Sequence, residues 1–393
     1  MEIKSLLGDV ILATKQPYAK EEIKGSFTVP DYYKDFTCKG GDCRDSCCQE
    51  WKVTIPMNQY FLLHGLNCKK SVKDKIDRTF RPFINPTPER YAEIVHNHNG
   101  DCPLHKADGY CLLHESCGEE VLPWVCRYYP RGPRIDLAYE ASCSNSCEKT
   151  LELLFANDDL IKFEKLNLKF LMNKSKDIIP EERKHLYNKV RSNIFELLSD
   201  RTFLLNQRII QLGIYLKALE INPNVELSEI DFSLEEVENK VNESYQILWE
   251  IFDNFYGRYP RLTSQLEEAK SLYINKDVNS TYLLAKESYE LLLPNHEIMF
   301  EKMLINDLFF KQFPFQNNFS VWDQYIALCG TYLLLRYLAV NLMLTKKTQD
   351  DFIDIVSKSF TVISHSEFDK QISSFFKRKN INNINTLAKI MKI

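Results

Sequence analysis

Glycine is scarce in this sequence. Its 393 residues include 12 glycines, and only Gly40 and Gly41 are adjacent. No Gly-x-Gly-x-x-Gly turn and no P-loop occurs, so Rossmann-type nucleotide binding and phosphate cradling have no support. A Gly-x-Ser-x-Gly elbow and a His-Glu-x-x-His helix are also absent. The usual signatures of serine hydrolases and zinc proteases are therefore missing.

Signals for export, membrane insertion and nucleic-acid binding are missing as well. Met1–Val10 mixes acids into a short apolar run and has neither a basic start nor a cleavage site, so we expect a cytoplasmic protein. The net charge is −4, which gives no positive field for nucleic acid. Tyr325–Leu344 is long enough to span a bilayer, but Arg336 and Asn341 interrupt it. We expect a buried core helix there and no membrane partner.

Cysteine is what the chain has in excess. Eleven of its 12 cysteines lie between Cys38 and Cys147. Thiols at this density form disulfides or hold metal. A chain this long folds without cross-links, and the expected compartment is reducing, so metal is the better interpretation. The remaining cysteine, Cys329, lies in an apolar run and is expected to be a small buried hydrophobe.

The cysteine spacing does not decide which metal is bound. No Cys-x2-Cys knuckle of the kind that structural zinc favours occurs, and adjacent Cys47 and Cys48 suit such a knuckle poorly. Irregular spacing on loops is natural for an iron–sulfur cluster or for two metal sites. Both iron–sulfur and zinc remain possible from spacing alone. His105 and His114 could complete a mixed site, although exposed histidines near a turn are more common.

The pattern changes near residue 150. Residues 1–30 predict a partly helical lead-in, Trp51–Ile55 a short strand, and Asn58–Phe80 a polar helical insert. Gly40-Gly41 permits a tight ligand loop. Beyond Cys147, apolar stripes recur at helical spacing almost to the end. We predict a mainly α protein, with a cysteine-rich, metal-organised module at 1–150 and an all-helical domain at 151–393.

The residues around the cysteines resemble the flagellin lysine-N-methylase family. They are also similar to a broader group of zinc- or iron-chelating domains. The resemblance covers about residues 30–150 and rests on these blocks: Pro30-x-Tyr32-Tyr33-x2-Phe36-x-Cys38-x4-Cys43-x-Asp45-Ser46-Cys47-Cys48-x2-Trp51, Cys102-Pro103-Leu104-x3-Asp108-Gly109-x-Cys111-Leu112, Gly118-Glu119, Cys126-x2-Tyr129-Pro130-Arg131 and Glu140-x-Ser142.

The resemblance implies methyl transfer from S-adenosylmethionine to lysines of flagellin, with a 4Fe-4S iron–sulfur cluster in the cysteine-rich part. Zinc is the alternative metal. The ligand candidates that it implies are Cys38, Cys43, Cys47, Cys48, Cys102, Cys111 and Cys126. Which of these bind one cluster is left open.

Side chains near these cysteines give candidates for the chemistry. Tyr33 and Tyr129 are candidate catalytic residues because aromatic faces favour ammonium and sulfonium cations. Asp45 is a candidate for attracting the lysine. Arg127 and Arg131 are candidates for binding the carboxylate of S-adenosylmethionine.

Two other classes of function stay open. One is a non-enzymatic zinc- or iron-chelating module that binds a protein partner. The other is a redox or electron-transfer protein, which would need a cluster that cycles reversibly without S-adenosylmethionine.

Overall fold

The chain folds into two compact units in the computed structural model, which describes residues 21–49, 53–172, 179–233, 241–315 and 319–392. The cysteine unit contains the described residues of Met1–Val29, Thr37–Ala141 and Glu164–Ile178. The helical unit contains those of Pro30–Phe36, Ser142–Phe163 and Ile179–Ile393. Each unit combines several segments of the chain, whereas the predicted domain boundary is a single division after residue 150. That domain boundary stays a prediction.

Seven strands are described, and most of their residues belong to the cysteine unit. They are β1 (Glu21–Pro30), β2 (Thr54–Ile55), β3 (Phe80–Pro82), β4 (Ala92–Ile94), β5 (Arg131–Arg134), β6 (Glu140–Cys143) and β7 (Phe163–Met172). One sheet has the order β5-β6-β1-β7, and the other has the order β2-β4-β3. β1 runs parallel to β6, with Thr28 opposite Glu140.

The predicted partly helical lead-in is wrong where it can be checked. Residues 21–30 form β1, and residues 1–20 lie outside the described part of the chain. Phe27 and Val29 are fully buried while Thr28 between them is less so, which is the two-residue period of a strand. Phe27 packs against Tyr139, with ring centroids 5.1 Å apart, and against Phe170 at 5.3 Å.

Four short helices complete the cysteine unit: α1 (Met57–His64), α2 (Lys70–Thr79), α3 (Leu112–Cys117) and α4 (Trp124–Tyr128). The predicted helical insert is confirmed by α1 and α2. The predicted short strand is confirmed at Thr54–Ile55, whereas Trp51 and Lys52 lie outside the described residues. These elements enclose an apolar core formed by Val53, Ile55, Leu63, Val72, Ile76, Phe80, Ala92, Ile94, Cys102, Leu104, Leu113 and Leu122.

The other helices belong to the helical unit, so the chain is mainly α as predicted. They are α5 (Glu148–Leu154), α6 (Glu181–Ser199), α7 (Leu205–Ile221), α8 (Val241–Asp253), α9 (Pro260–Ser271), α10 (Val278–Leu292), α11 (His296–Lys311), α12 (Val321–Leu342), α13 (Gln349–His365), α14 (Phe368–Arg378) and α15 (Ile384–Ile390).

The prediction that residues 151–393 are all helical is wrong at β7. In this strand Leu166, Leu168 and Phe170 alternate with more exposed polar neighbours, which is a strand period. The alternation covers few residues and lies between apolar stripes at helical spacing, so the sequence pattern around it predicted helix instead.

Helix α12 is the core helix of the helical unit. It is the one helix among the described residues that is long and apolar enough to cross a membrane, and its apolar stretch is entirely buried. The expected buried core helix is therefore confirmed. Cys329 is fully buried within it, also as expected.

A Ser or Thr followed three residues later by an acid predicts a helix start, and this pattern occurs at Ser233, Ser264 and Thr348. The structure agrees with it unevenly. Thr348 caps α13 and forms a reciprocal capping box with Asp351, as the sequence indicates. A similar signal at Ser264 is misleading, because α9 begins at Pro260 and Ser264 lies inside it. A third signal, at Ser233, needs Glu236, which lies outside the described residues.

Candidate functional site

A cavity of about 160 Å³ within the cysteine unit is the candidate site. Its lining includes every cysteine that the resemblance implies as a ligand: Cys38, Cys43, Cys47, Cys48, Cys102, Cys111 and Cys126. The first four belong to one loop, whereas the other three come from positions far along the chain. The fold thus gathers seven thiols at one place.

The rest of the lining divides into apolar and polar side chains. Val53, Phe80, Ile94, Leu104, Leu113 and Leu122 from the apolar core form part of the wall. Ser46, His96, His114, Tyr110 and Tyr129 supply polar groups. A group held among the thiols would therefore be partly shielded from water.

Close backbone packing beside the cavity requires glycine. Gly40 has φ +61° and Gly109 has φ +80°, which is the left-handed region that side chains disfavour. A Cβ atom on Gly41 would clash with the carbonyl oxygen of Asp108 and lie 2.8 Å from the Tyr110 ring. The predicted tight loop at Gly40-Gly41 is confirmed, and its packing partner is the turn before Cys111.

The cysteine loop contains short-range bonds to sulfur and oxygen. The backbone N–H of Gly40 donates to Cys38 Sγ at 3.4 Å. The backbone N–H of Cys48 donates to Ser46 Oγ at 3.2 Å. These bonds restrict the loop and leave its thiols at the cavity wall.

A hydrogen bond between the adjacent thiols of Cys47 and Cys48 shifts their pKa values in opposite directions. A hydrogen bond from Cys47 lowers the pKa of Cys48 to about 6, and the nearby imidazole of His105 acts in the same direction. The same bond, together with burial, raises the pKa of Cys47 well above its usual range. A pKa of about 6 makes Cys48 largely a thiolate at neutral pH, and the thiolate is the form that binds metal.

Three other thiols of the cavity, those of Cys102, Cys111 and Cys126, have raised pKa values. Burial raises the pKa of Cys102 to about 12 and also raises the pKa values of Cys111 and Cys126. The negative charge of the neighbouring Cys48 thiolate adds to each of these increases. Such crowding disfavours a set of bare thiolates and would be relieved by a cation among them.

The donor set fits a thiolate-bound metal in its chemistry. Seven sulfur atoms are more than the four that one zinc ion or one iron–sulfur cluster needs. Within the described part of the chain, however, no three Cys, His, Asp or Glu side chains converge as ligands of a single metal ion. The fold brings the thiols to one cavity, and the metal-organised module itself stays a proposal.

Two of the three candidate catalytic residues lie beside the cavity. Tyr129 lines it, directly after α4. Asp45 is half-buried in the loop between the lining residues Cys43 and Ser46. Tyr33 does not line the cavity, because its ring is buried in the helical unit at 6% exposure.

The two candidate arginines do not line the cavity either. Arg127 lies in α4, with Nε 3.8 Å from Glu119 Oε1. Arg131 is half-buried at the start of β5. Their role in binding S-adenosylmethionine stays a prediction.

Sequence reasoning missed Tyr110, which lines the cavity and keeps half of its surface exposed. The available signal was its position between Gly109 and Cys111. It also misjudged His105 as an exposed residue near a turn, although only 11% of that side chain is exposed. Burial of an isolated histidine depends on tertiary packing, which no local pattern reveals.

The helical unit carries the family signal. Residues 191–390 match the sequence model described as the FliB lysine N-methylase C-terminal domain. This stretch is just over half of the chain. The chain belongs to this family. The family match lies in the helical part, outside the blocks near residues 30–150 that carry the resemblance, and it does not extend to the cysteine frame.

Curated relatives match a shorter stretch. Lysine-N-methylases from Salmonella typhimurium (strain LT2) and Salmonella choleraesuis (strain SC-B67) are each 26% identical over 108 residues, which is 26% of this chain and 26% of each relative. A flagellar biosynthetic protein FliU from Salmonella muenchen is 25% identical over 108 residues, or 26% of this chain and 61% of the relative. The match thus spans about a quarter of the two lysine-N-methylases. No solved structure matches the chain.

Proposed function

We propose that this protein transfers methyl groups from S-adenosylmethionine to lysine side chains of flagellin, and that an iron–sulfur cluster bound in the thiol-lined cavity takes part. The observation that carries the proposal is the gathering of seven separated cysteines at one cavity, in a chain of the FliB lysine N-methylase family. The names of the Salmonella relatives, lysine-N-methylase and a flagellar biosynthetic protein, support the reaction and the flagellar substrate.

The size of the cavity supports a metal group there rather than the whole methyl donor. About 160 Å³ is of the order of a cavity that binds benzene. Pockets that enclose a drug-sized ligand measure about 300–1,000 Å³. We therefore place the cluster among the thiols and most of S-adenosylmethionine outside the cavity.

The seven lining cysteines are the candidate ligands, and three of them would hold a cluster that keeps one iron free of protein ligands. With an open coordination position, the cluster would supply an iron site for the amino and carboxylate groups of S-adenosylmethionine. This anchoring would replace the glycine-rich loop that the sequence lacks.

The acceptor lysine must lose a proton before it reacts. Its amine has an ordinary pKa near 10.4, so it is charged in neutral water and cannot attack as an ammonium. Burial against the apolar part of the wall lowers an amine pKa by disfavouring the charged form. Once the ammonium has passed its proton to water, the nitrogen lone pair forms the N–C bond as the sulfonium S–C bond breaks. S-adenosylhomocysteine leaves with that electron pair, and the lysine carries the positive charge as a methylammonium.

Three side chains near the cavity have roles in this proposal. The faces of Tyr110 and Tyr129 offer an electron-rich surface to the sulfonium and ammonium cations. Asp45 draws the ammonium towards the cysteine loop. Tyr33 has no role here, since its ring is buried in the helical unit.

The test combines metal analysis with methyl transfer. Protein purified without oxygen and reconstituted with ferrous iron and sulfide is expected to be brown and to bind about four irons. With methyl-labelled S-adenosylmethionine, it should label unmethylated flagellin, and mass spectrometry should locate the methyl groups on lysines.

A matched pair of serine variants distinguishes a cysteine that lines the cavity from a cysteine at a helix start. Cys126→Ser removes a lining thiol and should lower iron content and labelling together. Cys147→Ser should change neither, because Cys147 precedes α5 as its N-cap, a position that serine favours. Iron-loaded protein that leaves flagellin unlabelled would refute the proposed reaction.

Colourless protein with stoichiometric zinc would instead favour the non-enzymatic chelating module. In that case the labelling assay should stay at background, whichever cysteine is replaced.

A further inference from the structure

A groove of about 620 Å³ lies beside the β3–β4 hairpin of the cysteine unit. Its lining comes from within residues 81–93, which include most of β3, the loop after it and the first part of β4. Among the described residues, it shares no lining side chain with the thiol-lined cavity. Pockets that hold a drug-sized ligand measure about 300–1,000 Å³, so this hairpin groove has room for several side chains of a bound peptide.

The hairpin groove and the thiol-lined cavity lie on opposite faces of the same two strands. Phe80 and Ile94, which are paired across β3 and β4, line the cavity. Arg81 and Glu93, the next pair along, line the groove. Successive side chains of a strand point to opposite faces, which accounts for this division. A segment bound in the groove is therefore held against the wall of the cavity without entering it.

Backbone hydrogen bonds fix the loop that forms the groove. The N–H of Phe83 donates to the carbonyl of Tyr91 at 3.0 Å, and the N–H of Thr87 donates to the carbonyl of Arg90 at 3.2 Å. The N–H of Arg90 donates in turn to Thr87 Oγ1 at 3.1 Å. Prolines at positions 86 and 88 restrict the loop further. A partner therefore meets a preformed surface and loses little free energy to ordering it.

The charged side chains of the groove are two arginines and one glutamate. Arg81 is 67% exposed, and its Nη2 lies 3.5 Å from Glu93 Oε1. The guanidinium carbon of Arg90 lies 4.4 Å from the centroid of the Phe83 ring. Arg90 is exposed and forms no ion pair with a described residue. The ring thus orients the guanidinium and leaves its N–H groups available to a carboxylate.

The groove also has an apolar part. Ile84 lines it and is 97% exposed, and the half-buried Phe83 ring lines it as well. A partner that covers these two side chains removes apolar surface from water, which favours binding. The groove therefore offers an apolar contact beside a cation that has no acid of its own.

We propose that the hairpin groove docks a short segment of the protein substrate in which a carboxylate lies beside an apolar side chain. The carboxylate binds the guanidinium of Arg90, and the apolar side chain contacts Phe83 and Ile84. The inference rests on the proposed function, because it takes flagellin as that substrate. The whole chain carries a net charge of −4, so the attraction is local to the groove. A local attraction suits a short acidic segment better than a long polyanion such as nucleic acid.

The first test measures binding of overlapping synthetic peptides that cover unmethylated flagellin, by fluorescence anisotropy with the full chain. The peptides that bind should contain Asp or Glu beside an apolar residue, and their affinity should fall as salt is raised. Arg90→Ala should weaken binding about tenfold, because a hydrogen-bonded ion pair is lost. Arg78→Ala should leave it unchanged, since Arg78 is exposed in α2 and does not line the groove.

Two further variants separate charge and apolar contact from a general loss of structure. Glu93→Gln should strengthen binding, because it removes the carboxylate of the groove and releases Arg81. Ile84→Ser should weaken binding severalfold, and its exposure means that the fold does not depend on it. Circular dichroism checks each variant.

The second test measures methylation of flagellin by iron-loaded protein. Arg90→Ala should raise the KM for flagellin about tenfold and leave kcat unchanged, because the groove lies outside the cavity. An unchanged KM would refute the docking site and leave the reaction in place. Peptides that bind to wild-type protein through Arg90, with no methylation of flagellin, would support the docking site and refute the reaction.

Other outcomes overturn the docking site directly. These are the absence of any flagellin peptide that binds, binding that persists in Arg90→Ala, and binding that Glu93→Gln weakens. Anionic lipid vesicles or a DNA oligonucleotide that bind through Arg90 in place of the peptides would overturn the assignment to a protein segment. Self-association of the wild-type chain that Ile84→Ser abolishes would assign the groove to a second copy instead.

Discussion

Buried ionisable side chains make the helical unit sensitive to pH at single residues. His296 is 8% exposed, and its Nδ1 accepts a hydrogen bond from Arg336 at 3.1 Å. Burial, together with the charges of Arg336 and Lys286, lowers the pKa of His296 to about 4. The imidazole is therefore neutral in the folded protein at pH values where an unfolded chain would protonate it.

We predict a loss of stability on acidification that depends on His296. Because its folded pKa lies below the unfolded value of about 6.5, its contribution is complete above that value and is lost as the pH falls towards 4. Between pH 7 and pH 5 the free energy of unfolding should fall by about 2 kcal/mol from this residue. Urea unfolding at both pH values measures it. His296→Gln should reduce the pH dependence, whereas His185→Gln, at an exposed position of α6, should leave it unchanged.

Single residues also mark the limit of sequence-based prediction. Adjacent Gly40 and Gly41 predict a tight loop, and the structure has one. The reason for Gly41, which is contact with the Asp108 carbonyl, lies nearly 70 residues away in sequence, where no local pattern points to it. Tyr110 and His105 escaped notice for the same reason, since their burial depends on segments that meet only in the folded chain.

Among the secondary-structure elements, α12 combines an apolar sequence with a buried polar network. Asn341 is fully buried in this helix. Its side chain accepts a hydrogen bond from the Tyr273 hydroxyl and donates to the Tyr245 hydroxyl at 3.3 Å. A buried amide in a core helix needs hydrogen-bond partners, and Asn341 has them in these two tyrosines. Its side chain therefore joins α12 to α8 and to the segment that follows α9.

Replacing Asn341 with leucine should therefore destabilise the helical unit. Two phenol hydroxyls would lose a buried partner, which costs about 2–4 kcal/mol in all. We expect the thermal midpoint to fall by several degrees in a calorimetric scan. Asn279→Leu, at an exposed position of α10, should change it little. An unchanged midpoint in Asn341→Leu would contradict the role of α12 as a packed core helix.

Secondary-structure elements were predicted well where many residues or a specific pair supported them, and poorly where the supporting pattern covered only a few residues. The run that became α12 and the cap at Thr348 were evident from sequence, because many residues or a specific pair supported each. β1 and β7 were missed, since each shows its alternation over only a few residues. Both strands are held by pairing within a sheet, which depends on a distant partner rather than on local preference.

At the scale of the whole molecule, the two units should differ in their dependence on metal. The core of the cysteine unit is built from short elements, and cavity-lining cysteines such as Cys102 belong to it. The helical unit has its own core of long helices. If iron binds among the thiols, its binding free energy stabilises the cysteine unit but not the helical core.

We predict that removal of iron exposes the cysteine unit to proteases first. Limited proteolysis of reconstituted protein, with and without an iron chelator, should show new early cuts between residues 37 and 141. Fragments covering residues 191–390 should persist in both samples. Mass spectrometry identifies the cuts. Identical cleavage patterns would show that the cysteine unit is stable without metal, which would contradict a metal-organised module.

The order of strands in the larger sheet also determines how late in translation this sheet can be completed. β1 is made early but lies between β6 and β7, whose residues extend to Met172. Cys126, the last of the lining cysteines, emerges from the ribosome shortly before these strands do. A nascent chain shorter than about 170 residues therefore has the lining thiols but lacks part of the sheet of the cysteine unit. If a metal binds among these thiols, its complete scaffold exists only after translation has passed that point.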